Sequence, residues 1–497
     1  MASTPAGYEW LRQTYGLPIP QHYRISMIGT THGVQRQAMG SDGAQVFTYT
    51  PQYAPADDPI SHLEFALKYD GIHPGCMFAL FQRPEMAGLI TEAVKETPSG
   101  KYARQMWFWY EFMTGQSLEL PDTLQGRYVD ALDPEIYYVA DPVNSPRHRV
   151  RNNITGTGSL IYLVRRDFGH TFLTDEALLE GMNKALEEYD PETLARAARY
   201  LVSYETKSSN EIESEQISPS KFTRFMQALE EAGRAPLNKE RLIYIQNLVK
   251  EPHYQEKDYR YEQNYLGRLR RRVPGGVEFL PPKFEDAHVL MEAFMEIIDR
   301  IRLSDMPGIV KAAVLASGFV YIHPFKDGNG RVSRYIIQDT LVASGLVRDG
   351  IVLPISGGIL NQQERYYATL NQISQQIMQY VEFHIDDIGA PVVDNNTGYL
   401  YRYTDMTEQA AYLSEIAQLV IDKLMPEEID ILAFLDELHD TLAGTMDWSN
   451  KDTNLVVDLL HDNSGTISQR KRDGVLRHIQ KEELDRAEEL YGNLLNS

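Results

Sequence analysis

Twelve consecutive residues hold the side chains of this chain that are best suited to chemistry. They run from His323 to Arg334 and read His-Pro-Phe-Lys-Asp-Gly-Asn-Gly-Arg-Val-Ser-Arg. The imidazole of His323 can take a proton from an attacking hydroxyl near neutral pH. The carboxylate of Asp327 is a hard oxygen ligand of the kind that Mg²⁺ prefers. Together these side chains indicate proton transfer beside a metal-bound anion.

The elements around this segment predict where the anion would bind. Residues 308–322 are apolar and small, which predicts a helix that ends before His323, and the proline after it favours extended backbone at His323. Apolar residues recur at helical spacing after Arg331. The glycine-rich turn 327–330 therefore leads into a helix N-terminus, where backbone N–H groups and the helix dipole attract anions. Arg331 and Arg334 add positive charge on one helix face.

The segment resembles the motif of the Fic family, His-x-Phe-x-Asp/Glu-Gly-Asn-Gly-Arg-x-x-Arg, and matches it at all eight specified positions. The likeness covers roughly 190–380. It implies a mainly α protein with a Fic-type helical bundle core and a short β-hairpin flap. It also implies a nucleotidyltransferase: a protein adenylyltransferase that moves AMP from ATP onto a Ser, Thr or Tyr hydroxyl of a target protein or of itself.

The resemblance implies a role for each motif residue. His323 would be the general base, and Asp327 would bind Mg²⁺. The nucleotide would be held by Lys326, Gly328, Asn329, Gly330, Arg331, Arg334 and Tyr367. In this set the glycines form the anion-binding turn, Asn329 contacts phosphates and the arginines hold the distal phosphates. Tyr367 would lie with Tyr366 beside the adenine, and an aromatic pair on a helix face is the equal alternative.

A second family feature is an inhibitory helix with the sequence Ser/Thr-x-x-x-Glu-Gly/Asn. In relatives its glutamate pairs with the last motif arginine and inhibits the enzyme. Residues 209–214 resemble it, with Ser209 and Glu213 at the specified positions and Ser214 in place of the Gly or Asn. The resemblance implies an inhibitory helix N-terminal to the core and autoinhibition by a Glu213–Arg334 pair that blocks the ATP γ-phosphate. Two alternatives stay open: Glu211, which fits the spacing less well, and an ordinary acid on a helix surface.

Three regions are predicted. Residues 1–185 form an N-terminal domain, mixed or mostly helical, without a recognisable role. Residues 186–395 form the catalytic core, which contains the inhibitory helix at about 200–216 and the flap at about 268–282. Residues 396–497 form a C-terminal helical region.

The flap prediction comes from a Pro-Gly-Gly turn between Val273 and Val277, a pattern typical of a hairpin. In relatives such a flap aligns the target segment. Strand-like docking needs only backbone hydrogen bonds, so the flap does not reveal which protein is modified.

The composition of the chain argues against nucleic acid and membranes as partners. The chain has 497 residues and a formal net charge of −22, which repels nucleic acid and anionic lipid over most of its surface. Its single cysteine, Cys76, excludes an internal disulfide. It contains neither an apolar run of about 18 residues nor a signal-peptide pattern. We expect a cytoplasmic protein without membrane or nucleic-acid partners, and its oligomeric state stays open.

The sequence excludes some functions other than AMP transfer and leaves others open. A P-loop sequence and the protein-kinase motif set are both absent. Removal of AMP, or both reactions in one site, stays open because the inhibitory glutamate can orient a water in relatives. Donors other than ATP are a further alternative. A nucleotide-sensing interaction protein is the alternative from another class, although it would need no base at position 323.

Overall fold

The computed structural model describes residues 3–30, 33–38, 44–122, 126–166, 169, 171–187, 189, 191–214, 218–250, 255–267, 276–347, 351–387 and 389–495. Within these ranges the chain is mainly α, as predicted, and its short strands form small sheets. No described helix is both long enough and apolar enough to cross a membrane.

The N-terminal part combines helices and sheets around α5. Its elements are β1 (Thr4–Ala6), α1 (Tyr8–Thr14), β2 (Arg24–Ile28), β3 (Gln35–Ala38), β4 (Gln45–Tyr49), α2 (Pro59–Tyr69), α3 (Pro74–Phe81), α4 (Met86–Glu96), α5 (Lys101–Thr114), β5 (Val129–Asp130), β6 (Val143–Ser145), β7 (Val150–Asn152), β8 (Ile161–Leu163) and α6 (Asp175–Leu186). One sheet has the order β1-β2-β4-β3, with β2 and β4 parallel, and another has the order β5-β7-β6. The aromatic run of α5 is buried, with Trp107 and Trp109 fully enclosed.

The central part is a helical bundle around α11 and α12. Its elements are α7 (Pro191–Ile212), α8 (Pro219–Glu230), α9 (Lys239–Leu248), α10 (Phe284–Arg302), α11 (Gly308–Ile322), α12 (Asn329–Ala343), α13 (Ile355–Asn361), α14 (Gln363–Met378), β9 (Phe383–Ile385) and β10 (Pro391–Val393). Helix α11 is apolar on all sides because α10, α12 and α15 (Thr407–Leu419) surround it. A β-carbon at Gly318 would collide with the ring of Tyr162 on β8, so glycine permits this close packing.

The C-terminal part continues the bundle and then adds a second one. Its elements are β11 (Tyr403–Asp405), α15, α16 (Met425–Thr445), α17 (Asn450–Asp462), α18 (Gln469–Asp473) and α19 (Lys481–Leu495). Helix α15 runs into α16 through a π-helical turn, Val420–Leu424, next to Pro426, which has no N–H to donate. Leu438, Leu442 and residues of α17 and α19 form a separate buried cluster.

The central core does not stop at the predicted region boundaries of 185 and 395. It includes buried residues from Leu160 to Leu186 and from Leu400 to Ile429. Strands β8 and β11 also pair in parallel, with Ile161 opposite Tyr403. The elements on either side of the motif helices are therefore packed into one core, and the three-region division stays a prediction.

Helix α7 is anchored to two other helices of this core. The hydroxyl of Tyr200 donates to Glu428 of α16 at 2.9 Å. The carboxylate of Glu205 accepts from the backbone N–H and hydroxyl of Ser356 on α13, at 2.7 and 2.6 Å. Burial raises the pKa of Glu205 to about 7. The anchors fix the direction in which the last turn of α7 points.

Candidate active site

His323 ends α11 in a left-handed conformation, with φ 51° and ψ 57°. The extended backbone predicted there is wrong. The following proline disfavours the right-handed helix at His323, and a left-handed residue closes the helix instead, with the His323 N–H donating to the Phe319 carbonyl at 2.9 Å. This conformation costs a non-glycine residue about 1 kcal/mol or more. Strain of this kind is frequent at functional positions.

The imidazole of His323 is held in one tautomer. Its Nδ1 lies 3.1 Å from the Val320 carbonyl, which can only accept, so Nδ1 carries the proton and Nε2 is left as the acceptor. Burial, with a smaller contribution from the charge of Arg260, lowers the pKa of His323 to about 4. The ring is thus neutral at pH 7 and ready to take a proton.

The turn after His323 is closed by Asn329. Its side-chain oxygen accepts from the Phe325 N–H at 2.9 Å, and its amide donates to the Phe325 carbonyl at 2.8 Å. The side chain predicted to contact phosphate is therefore committed to the loop. Gly328, at φ 87°, precedes α12, and the first N–H groups of α12 lack partners within the helix. The backbone N–H groups at this helix start are thus available to an anion, and the phosphate contact of Asn329 stays a prediction.

Arg331 and Arg334 are buried, with relative exposures of 1% and 2%. Arg331 donates to the Val249 carbonyl at 3.2 Å. Arg334 Nη2 donates to the Ser209 carbonyl at 2.8 Å and to Glu213 at 2.6 Å, while Nε donates to the Ser209 hydroxyl at 2.7 Å. The structure thus brings Arg334 and the 209–213 segment together.

Glu213 follows the last turn of α7. Its side chain is 36% exposed. Burial would raise the pKa of Glu213, but the charge and hydrogen bond of Arg334 outweigh burial and hold it below the ordinary value. The next residue, Ser214, has φ 54°. Glycine and asparagine tolerate that left-handed position best, which gives a physical reason for the Gly or Asn of the motif.

Asp327 is the one acid of the motif, and 63% of its side chain is accessible. One Oδ accepts from the Gly328 N–H at 2.5 Å, and the carboxylate forms an ion pair with Lys250. No group of three or more acid, His or Cys ligands occurs in the described ranges. The donor set fits Mg²⁺ held by one carboxylate together with substrate phosphates.

The other predicted contacts are more peripheral. Lys326 pairs with Glu262 at 3.1 Å on the surface. Tyr367 is 38% exposed, and its hydroxyl donates to the carbonyl of Ile212, the last residue of α7, at 3.3 Å. Tyr366 packs against Tyr412, with ring centroids 6.0 Å apart. Tyr367 thus touches the end of the predicted inhibitory helix, a contact that spacing did not indicate.

Only the base of the predicted flap is described. Leu266 pairs with Phe279 in an antiparallel bridge, so the chain returns alongside itself there. Val277 packs half-buried on the central core. Val273 lies outside the described residues. The hairpin therefore stays a prediction, with a paired base below it.

Sequence reasoning missed the residues that support the turn from outside. Arg260 is buried and donates through Nε to the His323 carbonyl at 2.9 Å. Burial lowers the pKa of Arg260 to about 10. Gln246 donates to Glu256 at 3.1 Å, and Glu256 accepts from the Lys326 N–H at 3.2 Å. These residues lie far from the motif in sequence and follow no spacing rule that would have found them.

The segment that contains this site matches a known protein family. Residues 236–341 match the Fic/DOC family, and the matched segment contains the whole motif from His323 to Arg334. The chain therefore carries a Fic/DOC-family domain.

Two curated relatives share part of their sequence with this chain. The protein adenylyltransferase Fic of Drosophila virilis is 28% identical over 169 residues, which cover 33% of this chain and 32% of the relative. That of Drosophila willistoni is 30% identical over 135 residues, 27% and 25% of the two chains. The chain thus spans a third or less of the length of these curated relatives.

Two solved structures are also similar. A Fic family protein from Desulfovibrio desulfuricans aligns over 51% of this chain and 74% of its own, with TM-score 0.36 and 16% identity. A Fic domain containing signaling protein from Bacteroides thetaiotaomicron aligns over 52% and 96%, with TM-score 0.37 and 16% identity.

Proposed function

We propose that this protein is a nucleotidyltransferase that moves AMP from ATP onto a Ser, Thr or Tyr hydroxyl of a protein and is restrained at rest by Glu213. One observation carries the proposal. One short segment, His323 to Arg334, presents a neutral imidazole, an exposed carboxylate and the N-terminus of α12, with two buried guanidinium groups beside it. The relatives named above support AMP as the transferred group.

The chemistry follows from these groups. Nε2 of His323 takes the proton of the attacking hydroxyl, whose oxygen bonds to the α-phosphorus of ATP. The bond from that phosphorus to the bridging oxygen breaks, and pyrophosphate leaves. Asp327 would hold Mg²⁺, which neutralises phosphate charge when bound. The turn contributes mainly position and charge stabilisation, which are the main requirements of phosphoryl-group chemistry.

The anion site has an unsatisfied donor. Nη1 of Arg334 is buried and has no hydrogen-bond partner among the described residues. Buried donors in native proteins are rarely left unpaired, so such an atom indicates a missing acceptor. A phosphate oxygen would supply it.

The same arginine explains the restraint. Glu213 takes one of the guanidinium nitrogens that a γ-phosphate needs, and the pair is held at 2.6 Å. Removing the carboxylate would free Arg334 for ATP. Partial exposure of the Glu213 side chain favours the second candidate, removal of AMP from a modified protein, in which this carboxylate would orient an attacking water.

Mass spectrometry of the Glu213→Gly protein after incubation with ATP and Mg²⁺ tests the proposal. We expect a mass gain of one AMP on the protein or on proteins of an added lysate, and loss of that gain when His323→Ala is added. Glu211→Gly is the matched control, since it places glycine at an exposed acid two residues earlier, in the last turn of α7.

The other outcomes have defined meanings. ATP binding without any mass gain would contradict transfer and favour a nucleotide-sensing protein. Loss of AMP from a pre-labelled protein, dependent on Glu213, would favour removal. Transfer of a group other than AMP would correct the donor.

A further inference from the structure

Lys250 lies beside the motif turn although nothing in its sequence neighbourhood marks it. It follows the end of α9, and its ammonium forms an ion pair with the carboxylate of Asp327. Its side chain is 10% exposed, against 63% for Asp327. Its Cε lies 3.9 Å from the position of a β-carbon on Gly328. The end of the lysine side chain therefore lies beside both Gly328 and Asp327 of the turn.

The backbone around Lys250 is fixed at this place. Arg224 donates to the Lys250 carbonyl at 3.2 Å, and Arg331 donates to the Val249 carbonyl at 3.2 Å. Gln246 donates to the Asp327 carbonyl at 3.4 Å. The end of α9 is thus tied to its surroundings by three hydrogen bonds, which distinguishes this pair from an ordinary exposed ion pair of little consequence.

The position of the ammonium conflicts with metal binding. A divalent cation at Asp327 would share that carboxylate with a second positive charge, and like charges at contact distance repel strongly. The ammonium must therefore leave Asp327 when the metal arrives. Because its Cε already lies near Gly328, a change of side-chain torsion would move the ammonium from Asp327 toward an anion bound at the turn. Lysine suits this exchange, since it is a compact charge on a flexible chain.

We propose that Lys250 is a positioning residue that neutralises Asp327 before nucleotide binds and transfers to a phosphate oxygen when the metal takes its place. This inference rests on the proposed function in so far as the turn binds a metal–nucleotide complex. It predicts that Lys250 competes with the metal for Asp327 and, in doing so, lets the turn accept a nucleotide before the metal is bound.

The test is nucleotide binding, not activity. Calorimetry would measure the affinity of a non-hydrolysable ATP analogue for the Glu213→Gly protein, with Mn²⁺ and with chelator, and again after Lys250→Met. Methionine keeps an unbranched stem and removes the charge. We expect the metal-free affinity to fall about tenfold, because Asp327 then repels the phosphates with the more distant Arg331, at 3.8 Å, left to offset its charge. With Mn²⁺ the loss of affinity should be smaller. The gain in affinity that the metal causes should therefore be several-fold larger with Lys250→Met than in the parent.

Three comparisons make the result decisive. Lys250→Arg keeps a charge and should leave the metal-induced gain near that of the parent. Lys239→Met, which removes a partner of Asp258 at the other end of α9, should leave it unchanged. In an Asp327→Asn background, Lys250→Met should no longer change the metal-induced gain, because the carboxylate that both cations share is gone.

An equal loss with and without Mn²⁺ would overturn the proposal, since a lysine that merely seats the turn would act on both states alike. A smaller metal-induced gain would overturn it too. Failure of every variant, the parent included, to bind the analogue would contradict the proposed function itself. Thermal unfolding of Lys250→Met checks that the fold is retained, and Lys250→Gln, which also removes the charge, carries the test if it is not.

Discussion

Glu213 lies directly over Gly330, so closely that a β-carbon added to Gly330 would collide with Oε1 of the glutamate. The carboxylate thus rests on the glycine turn that precedes and starts α12, where backbone donors and Arg334 attract an anion. Under the function proposed above, its charge occupies the place of a phosphate oxygen of the nucleotide. The restraint that we propose is therefore competition between two anions for one position.

Substitution of Ser214 tests how backbone strain sets this competition. Ser214→Gly removes the cost of the φ 54° conformation, for a net gain of about 0.5–1 kcal/mol in the restrained state after the extra freedom of glycine is subtracted. We expect basal AMP transfer to fall about two- to fivefold. Radiolabel transfer from ATP measures it.

Ser464 provides the matched control for that experiment. It also has a positive φ, 48°, but it lies after α17 in the separate C-terminal cluster. Ser464→Gly should raise thermal stability, as Ser214→Gly should, and leave AMP transfer unchanged. Equal transfer by Ser214→Gly and the unaltered protein would show that strain at Ser214 does not set the restraint.

The pH dependence of the reaction should reflect the lowered pKa of His323. Because that pKa is about 4, the ring is already neutral throughout pH 5–8. We expect kcat/KM of the Glu213→Gly protein, which follows the free enzyme, to show no loss from His323 protonation down to about pH 5. The negative charge of Glu213 raises the pKa of His323, so its removal should shift the fall to still lower pH. An inflection near pH 6.5 would contradict this expectation.

The anchor between α7 and α16 should influence the restraint. Tyr200→Phe removes the hydrogen bond to Glu428 and weakens the seating of α7 by about 1 kcal/mol. We expect transfer to rise about two- to fivefold as the restrained state loses stability. Tyr189→Phe is the control, since it removes a similar bond to Asp430 of α16 from a residue outside α7. Equal rates in both variants would argue against a contribution from this anchor.

Asn329 should matter for stability before it matters for binding. Asn329→Ala leaves the buried N–H of Phe325 unpaired, which costs about 1–3 kcal/mol, while the Phe325 carbonyl keeps the Asn264 amide as a donor at 3.0 Å. We expect the free energy of unfolding in urea to fall by about that amount or more. Asn329→Asp keeps the acceptor and loses the donor, so its loss should be smaller. No change in either variant would show that the loop closes without this side chain.

The sequence was most informative where chemistry and local structure coincide in one short segment. The bounds of α11 followed from apolar spacing, and the pairing of Glu213 with Arg334 followed from resemblance. The helix predicted from Arg331 onward begins two residues earlier, at Asn329. The left-handed backbone at His323 did not follow, because the rule for residues before proline excludes one region without choosing between the others. Lys250 and Arg260 did not follow either, since their roles depend on tertiary packing that no local pattern encodes.

The attachment of α7 also determines how much of the helix must move when the restraint opens. Tyr200 and Glu205 hold the body of the helix, so only its end, with the three hydrogen bonds from Arg334 to Ser209 and Glu213, has to open. A helix end relaxes in roughly a microsecond or less, and a thousandfold slowing by those bonds still leaves about a millisecond. Phosphoryl-transfer enzymes turn over at about 1–100 per second. Opening and closing would then equilibrate within every catalytic cycle, and the resting rate would report the fraction of time that the end of α7 is open.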